Sequence, residues 1–101
     1  MSIKWYLKAT ESDDQDSPHI LGIMYDNGDG VKTDREKAFH YYMIAAERGQ
    51  PYAMLNVGVC YYESKGVKKD KQKALEWMRR AAKYLPESRH NVQIMMEELG
   101  R

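Results

Sequence analysis

The sequence predicts an all-α fold, an α-solenoid of antiparallel helix pairs that repeat every 36 residues. Residues 17–52 align with residues 53–88 without a gap and with ten identities, where chance at ordinary composition gives about two or three. Each copy divides into two helical segments, here called A and B, separated by turns rich in glycine. One copy alone would leave its apolar face uncovered, so the copies are expected to stack. The identities are Gly22/Gly58, Tyr25/Tyr61, Gly30/Gly66, Val31/Val67, Lys32/Lys68, Asp34/Asp70, Lys37/Lys73, Ala38/Ala74, Ala45/Ala81 and Ala46/Ala82.

The chain is expected to open with a half-repeat, residues 2–16, that holds a B helix only. Trp5 lies 36 residues before Tyr41, which in turn lies 36 before Trp77. In the first full repeat, 17–52, helix A is predicted to begin with Ser17 as its N-cap and Pro18 at its first position. The glycines of the turn 27–30 are predicted to end it, because glycine accepts the left-handed conformation that closes a helix.

Helix B of this repeat is expected to begin at Thr33 or Asp34. Thr33 with Glu36 could form a capping box, while the repetition of Asp34 as Asp70 favours aspartate as the cap. The helix is predicted to end at Arg48-Gly49. The second repeat, 53–88, has its helices at roughly 51–64 and 70–84, and a last A helix covers roughly 87–99 of the final half-repeat 89–101.

Glycines inside the A helices predict close contact between helices. Gly22 and Gly58 each cost about 1 kcal/mol relative to alanine in a helix interior. That cost is understandable if a neighbouring helix approaches closely at each glycine. The small residues of helix B, at Ala38/Ala74 and Ala45/Ala81, would permit the same approach from the other side.

These residues resemble the Sel1-like repeat, a member of the tetratricopeptide superfamily, over nearly the whole chain. The resemblance implies a right-handed superhelix whose A helices line the inner, concave surface, and a protein–protein interaction scaffold or adaptor of bacterial type. Two departures, Ser64 in place of a loop glycine and Leu85-Pro86 in place of a closing glycine, leave the second A–B loop and the following turn open. The matching segments are Leu21-Gly22-x-x-Tyr25, Gly28-x-Gly30-Val31-x-x-Asp34, Lys37-Ala38, Tyr41-Tyr42 and Ala45-Ala46-x-x-Gly49, with their counterparts in the second copy.

Composition argues against several partners and compartments. Sixteen Lys and Arg against fifteen Asp and Glu give a net charge of +1, which argues against a dedicated binder of nucleic acid or of a membrane surface. No apolar run approaches the ~18 residues that a membrane-spanning helix needs. The first residues lack the long apolar stretch of a secretory signal, and a single cysteine cannot form an internal disulfide. We therefore expect a cytoplasmic protein.

No motif for catalysis, a cofactor or a metal stands out. His19, His40 and His90 are expected at the surface, because they lack ligand spacing and a held partner. Cys60 occupies a core position of the repeat and is expected to be a small buried hydrophobe. The segment Asp26–Gly30 fails the EF-hand pattern at its twelfth position and is expected to be a helix-terminating turn. The prediction is a non-enzyme without cofactor.

The candidate binding residues are, apart from Asn56, apolar or aromatic side chains at positions where the two copies differ. In the 36-residue register, the A helices present three columns: Ile20/Asn56/Val92, Ile23/Val59/Met95 and Asp26/Tyr62/Glu98. They would form a groove with an apolar centre that could seat a peptide or helix of a protein partner. The alternative is that Ile23, Val59 and Met95 only pack between A helices. The partner-binding residues predicted from these columns are Ile20, Ile23, Asn56, Val59, Tyr62 and Met95.

The uneven charge distribution and the terminal half-repeats suggest other partners and other functions. Residues 11–36 carry a net −6 and residues 63–83 a net +5, so one end suits an acidic partner or the acidic end of another copy. The terminal half-repeats could join copies head to tail into a homo-oligomer, or could serve as caps. A small inhibitor or immunity-type protein that masks one specific partner is a further alternative to an adaptor.

Overall fold

The computed structural model describes the backbone of residues 3–99 and the side chains in that range other than those of Asn91, Met95 and Leu99. Within this range it contains six α-helices, a short 3-10 helix and no strand, which confirms the predicted all-α solenoid. The B helices are α1, α3 and α5, and the A helices are α2, α4 and α6. The division into repeats at 17, 53 and 89 stays a prediction. The elements are α1 (Ile3–Thr10), α2 (Asp16–Asn27), α3 (Arg35–Glu47), α4 (Pro51–Glu63), α5 (Lys71–Ala82), the 3-10 helix (Pro86–Ser88) and α6 (Arg89–Leu99).

Each helix packs mainly on the helices next to it in sequence, and the molecule is elongated, 44 × 25 × 17 Å. The larger part of the core lies between α3, α4 and α5, and a smaller part joins α1 to α2. This packing is typical of a solenoid, in which each repeat contacts mainly its neighbours. The fully buried members include Leu21 in the smaller part and Val57 in the larger.

The helix-interior glycines mark the closest approach between helices, as predicted. A Cβ on Gly22 would lie 2.5 Å from ring atoms of Tyr42. A Cβ on Gly58 would lie 2.7 Å from Cγ of Met78 and 3.2 Å from the carbonyl oxygen of Ala74. In both pairs a B-helix side chain lies directly on the backbone of the preceding A helix.

The predicted N-cap of α2 is wrong. Ser17 lies inside the helix and is buried, and the capping group is the carboxylate of Asp14. That carboxylate accepts hydrogen bonds from the backbone N–H groups of Asp16 (3.2 Å) and Ser17 (3.1 Å), and from the Ser17 hydroxyl. An ionised acceptor suits the positive end of the helix dipole, and here it comes from the α1–α2 linker.

The aspartate caps of the B helices are confirmed. Asp34 accepts a hydrogen bond from the N–H of Lys37, and Asp70 accepts one from the N–H of Lys73, each at 3.1 Å. Thr33 makes no such cap. Since the bond spans three residues of one chain segment, the sequence alone was enough to place it.

The two A–B loops share one conformation despite the missing glycine in the second. Gly28 and Ser64 both adopt the left-handed conformation, with φ of 71° and 60°. Their N–H groups bond the carbonyls of Met24 and Cys60 respectively. The Ser64 hydroxyl also donates to the carbonyl of Val67 at 2.9 Å, which stabilises a loop without glycine at that position. After α5 the chain instead turns through the 3-10 helix, where glycine is absent.

Loops of neighbouring repeats contact one another along the two edges of the solenoid. On one edge, the α4–α5 loop lies against α3, so that a Cβ on Gly66 would lie 2.1 Å from the carbonyl oxygen of Arg35. On the other edge, the Arg48 guanidinium donates to the carbonyl of Asp14 at 2.8 Å, and the Gln50 amide donates to the Asp16 carboxylate at 2.8 Å. These contacts hold the A helices side by side.

Candidate binding surface

The predicted partner-binding residues lie on α2, α4 and α6, and we call their shared surface the A face. Ile20, Asn56, Val59 and Tyr62 are half-buried, and Ile23 is 37% exposed. Val59 and Tyr62 also pack against the larger core. The Met95 side chain lies outside the described residues. The A face therefore combines support from the core with apolar surface that solvent reaches.

A hydrogen bond joins α2 to α4 at one side of the A face. The Asn56 amide nitrogen lies 3.1 Å from Nε2 of His19, so the amide donates when that ring nitrogen is unprotonated. Burial lowers the pKa of His19, and Asp16 opposes the shift only in part. The prediction of a surface histidine is wrong here, since His19 is half-buried between two A helices, while His40 and His90 are exposed.

A second hydrogen bond joins α4 to α6 at the other side of the A face. The Tyr62 hydroxyl donates to the carboxylate of Glu98, 36 residues further along the chain. This hydrogen bond raises the pKa of Tyr62. Tyr62 and Glu98 belong to one column of the register that the sequence predicted, and the structure brings the two side chains together.

Two hollows that the sequence analysis did not identify lie beside the A–B loops. The first, of about 460 Å³, is lined by the α2–α3 loop, and the second, of about 280 Å³, by the α4–α5 loop. Their lining positions correspond one to one at the 36-residue spacing. Five of the ten identities between the copies line them, so the repetition of polar loop residues was the signal that could have revealed them. The lining residues are Tyr25, Val31, Lys32, Thr33, Asp34 and Lys37 in the first, and Tyr61, Val67, Lys68, Lys69, Asp70 and Lys73 in the second.

Lysine amines lie over the tyrosine rings at both hollows. The Lys37 amine is 5.4 Å from the centre of the Tyr25 ring, and the Lys73 amine is 5.6 Å from that of Tyr61. The second repeat adds a further pair, because the amines of Lys69 and Lys71 lie 5.9 and 5.8 Å from the Tyr62 ring. Such contacts orient a cation without neutralising it. The second loop is thereby connected to the A face through Tyr62.

The buried nucleophile of the chain is kept unreactive by its surroundings. Cys60 lies in the larger core, as predicted, and burial raises the pKa of its thiol to about 11. The neighbouring Tyr42 hydroxyl also has its pKa raised, first by burial and then by the nearby Asp26 carboxylate. Thiol chemistry needs the thiolate, so these side chains act as core residues.

Within residues 3–99, the described side chains include no group of three or more His, Cys, Asp or Glu arranged to hold a metal ion. None of the helices described in that range is long and apolar enough to cross a lipid bilayer.

Comparisons with known proteins show which family this sequence and fold belong to. The family model for the Sel1 repeat matches residues 1–14, 19–50 and 51–83. A Sel1 repeat protein from Oxalobacter formigenes superposes with a TM-score of 0.88 and 30% identity, covering 91% of this chain and 38% of that one. The protective antigen c5321 of uropathogenic Escherichia coli, which displays an SLR fold, gives 0.77 and 40%, covering 80% and 17%.

The cysteine-rich protein B of Helicobacter pylori gives a TM-score of 0.77 and 31% identity, covering 80% of this chain and 61% of that one. The chain thus spans less than two thirds of the length of each of these three proteins.

Proposed function

We propose that this chain, which belongs to the Sel1 repeat family, is a non-catalytic adaptor module that binds a protein partner on its A face. Sel1 repeat proteins are generally protein-interaction modules of scaffold type. The observation that supports the A face is its combination of apolar side chains with a fixed frame. Ile23 is 37% exposed on α2, and two cross-helix hydrogen bonds, one from α2 to α4 and one from α4 to α6, hold the A helices in place.

A fixed frame matters because binding then costs little ordering of the surface. The His19–Asn56 bond fixes α2 against α4, and the Tyr62–Glu98 bond fixes α4 against α6. Interfaces that are ordered before association lose less conformational entropy on binding. A partner segment that brings an apolar residue onto Ile23 and Val59 would bury surface on both sides of the contact.

The A face is tested by placing a charge at its centre. Val59→Glu and Ile23→Glu each introduce a carboxylate into the apolar strip, and we expect at least tenfold weaker capture of a protein partner from the source cell. His40→Glu is the matched control, because His40 is exposed on α3 and its counterpart in the second repeat is Glu76. The three variants make the same change of charge on the same scaffold.

The outcome depends on comparing captured proteins, quantified by mass spectrometry, among folded variants. Unchanged far-UV circular dichroism and a cooperative melt establish folding for each variant. A protein retained by wild type and His40→Glu but lost by both A-face variants supports the proposal. A set of captured proteins that is the same for all variants contradicts it. A mass that rises with concentration, with no protein captured, would favour self-assembly instead.

A further inference from the structure

The α4–α5 loop and the first turn of α5 carry an unusual concentration of positive charge, and we call residues 65–73 the lysine loop. This segment of nine residues contains five lysines and one acid. The acid, Asp70, already caps α5 through the N–H of Lys73. The lysines are Lys65, Lys68, Lys69, Lys71 and Lys73.

Little of this charge is neutralised within the described part of the chain. Lys65 has Glu63 at 3.7 Å, and no described carboxylate comes within 4 Å of the other four amines. Three of them lie over tyrosine rings instead. Five lysines within nine residues repel one another, and the contacts of the fold hold the loop in place against this repulsion.

The first repeat shows that the fold does not require all of these lysines. Lys65 and Lys69 stand where the first repeat has Asp29 and Thr33, whereas the other three lysines have a basic residue at the equivalent position. The equivalent positions, residues 26–37, hold four acids and three bases, a net of −1, whereas residues 62–73 hold two acids and five bases, a net of +3. In the first repeat, the Arg35 guanidinium is also paired with the Asp26 carboxylate at 3.5 Å. Both loops nevertheless have the same left-handed turn, the same aspartate cap and a hollow at the same place.

The lysine loop lies next to the A face rather than apart from it. Tyr62, one of the predicted partner-binding residues, lies under the amines of Lys69 and Lys71. The loop is also fixed in position, since Gly66 lies directly on the backbone of Arg35. The positive charge is therefore presented at a defined place, beside the hollow lined by Tyr61, Val67 and Lys68.

We infer that the lysine loop receives an acidic segment of the protein partner, whose neighbouring apolar residues lie on the A face. The inference rests on the proposed function and adds the chemistry of the ligand: a run of Asp and Glu adjoining apolar side chains. Carboxylates would pair with the four amines that have no carboxylate within 4 Å among the described residues, and charge complementarity of this kind contributes to partner choice and to the rate of association. The first repeat, whose equivalent segment has a net charge of −1, offers no such excess of positive charge.

The test uses a library of random twelve-residue peptides displayed on phage, selected against the whole chain. The decisive variant is Lys68→Glu/Lys73→Glu, and its matched control is Lys32→Glu/Lys37→Glu, which makes the same charge change at the equivalent positions of the first repeat. We expect wild type and control to enrich peptides with Asp and Glu beside apolar residues. The decisive variant should lose that enrichment, and a fluorescein-labelled enriched peptide should bind it at least about tenfold more weakly.

Three outcomes would overturn the inference: no enrichment, enrichment without an acidic bias, or an equal loss in both variants. Displacement of the peptide by a single-stranded oligonucleotide that itself binds more tightly would also overturn it, since the loop would then be a general polyanion site. Val59→Glu separates this test from that of the proposed function. If the selected peptides lose binding with Val59→Glu but carry no acidic residues, the A face is supported as a binding surface and the acidic segment is refuted. Acidic peptides that need the lysines but not Val59 or Ile23 would contradict the A face.

Discussion

The contact between the lysine loop and the preceding repeat can be tested with a pair of glycines. Gly30 and Gly66 lie 36 residues apart and have nearly the same left-handed conformation, with φ of 75° and 71°. Their surroundings differ. A Cβ on Gly30 would have its nearest neighbour at 3.9 Å, the end of the Met24 side chain, while a Cβ on Gly66 would lie 2.1 Å from the carbonyl oxygen of Arg35.

The two alanine variants therefore share one cost and differ in another. An alanine in the left-handed region costs about 1 kcal/mol, and this applies to both. At Gly66 the loop must also retreat by about 1 Å from backbone atoms that cannot rotate away, which overpacking data put at about 1–3 kcal/mol. We expect Gly30→Ala to lower the free energy of unfolding by about 1 kcal/mol and Gly66→Ala by about 3 kcal/mol.

Urea unfolding followed by far-UV circular dichroism measures both values, and a domain of this size has enough stability, about 5–10 kcal/mol, to show the difference. Equal losses for the two variants would refute the reasoning, because the loop would then be free to move off α3. A larger loss for Gly30→Ala would refute it as well. The expected result would establish that the lysines are presented on a loop held by its neighbour.

Three further predictions concern individual side chains. Because burial raises the pKa of the Cys60 thiol to about 11, we expect a thiol-specific chromogenic reagent to react slowly with native protein at pH 8 and fully in urea; fast native reaction would contradict this. The pKa of His19 is lowered in the folded state, so stability should fall as the pH drops below about 6.5, and His19→Gln should flatten that dependence in melts between pH 7 and 5. The hydrogen bond from Ser17 lowers the pKa of Asp14, so the stabilisation from the ionised Asp14 should be present above about pH 4 and lost below it. Ser17→Ala should therefore lower the melting temperature more at pH 7 than at pH 3, and an equal decrease at both pH values would refute this prediction.

The helices and most of their ends could be predicted from sequence because the signals that define them are local. Asp34 and Asp70 cap helices through bonds to groups three residues away, and the repetition of the motif doubles each signal. The cap of α2 was missed because two capping residues compete within a few positions. Ser17 is a good capping residue beside a proline, but the irregular linker brings Asp14 into reach, and nothing local distinguishes the two.

The candidate site was only partly predictable. The 36-residue register placed Tyr62 and Glu98 in one column, and the structure joins them. The bond between His19 and Asn56 was missed because it connects positions 37 apart, in neighbouring columns, and depends on the side-chain conformations of both. The hollows were missed because their lining residues were interpreted only as repeat identities and as helix-capping signals.

The comparison of the two repeats separates what the fold needs from what it does not. Residues kept in both copies, such as Asp34/Asp70 and Tyr25/Tyr61, make the same cap and line the same hollow. Residues that differ change the net charge of the segment from −1 in residues 26–37 to +3 in residues 62–73, without altering the left-handed turn or the aspartate cap. Lys65 and Lys69 stand where the first loop has Asp29 and Thr33, so the folded loop does not depend on this additional positive charge. The acidic segment that we propose would pair with that charge, and this is why the lysine loop, rather than its counterpart, is where partner specificity should be sought.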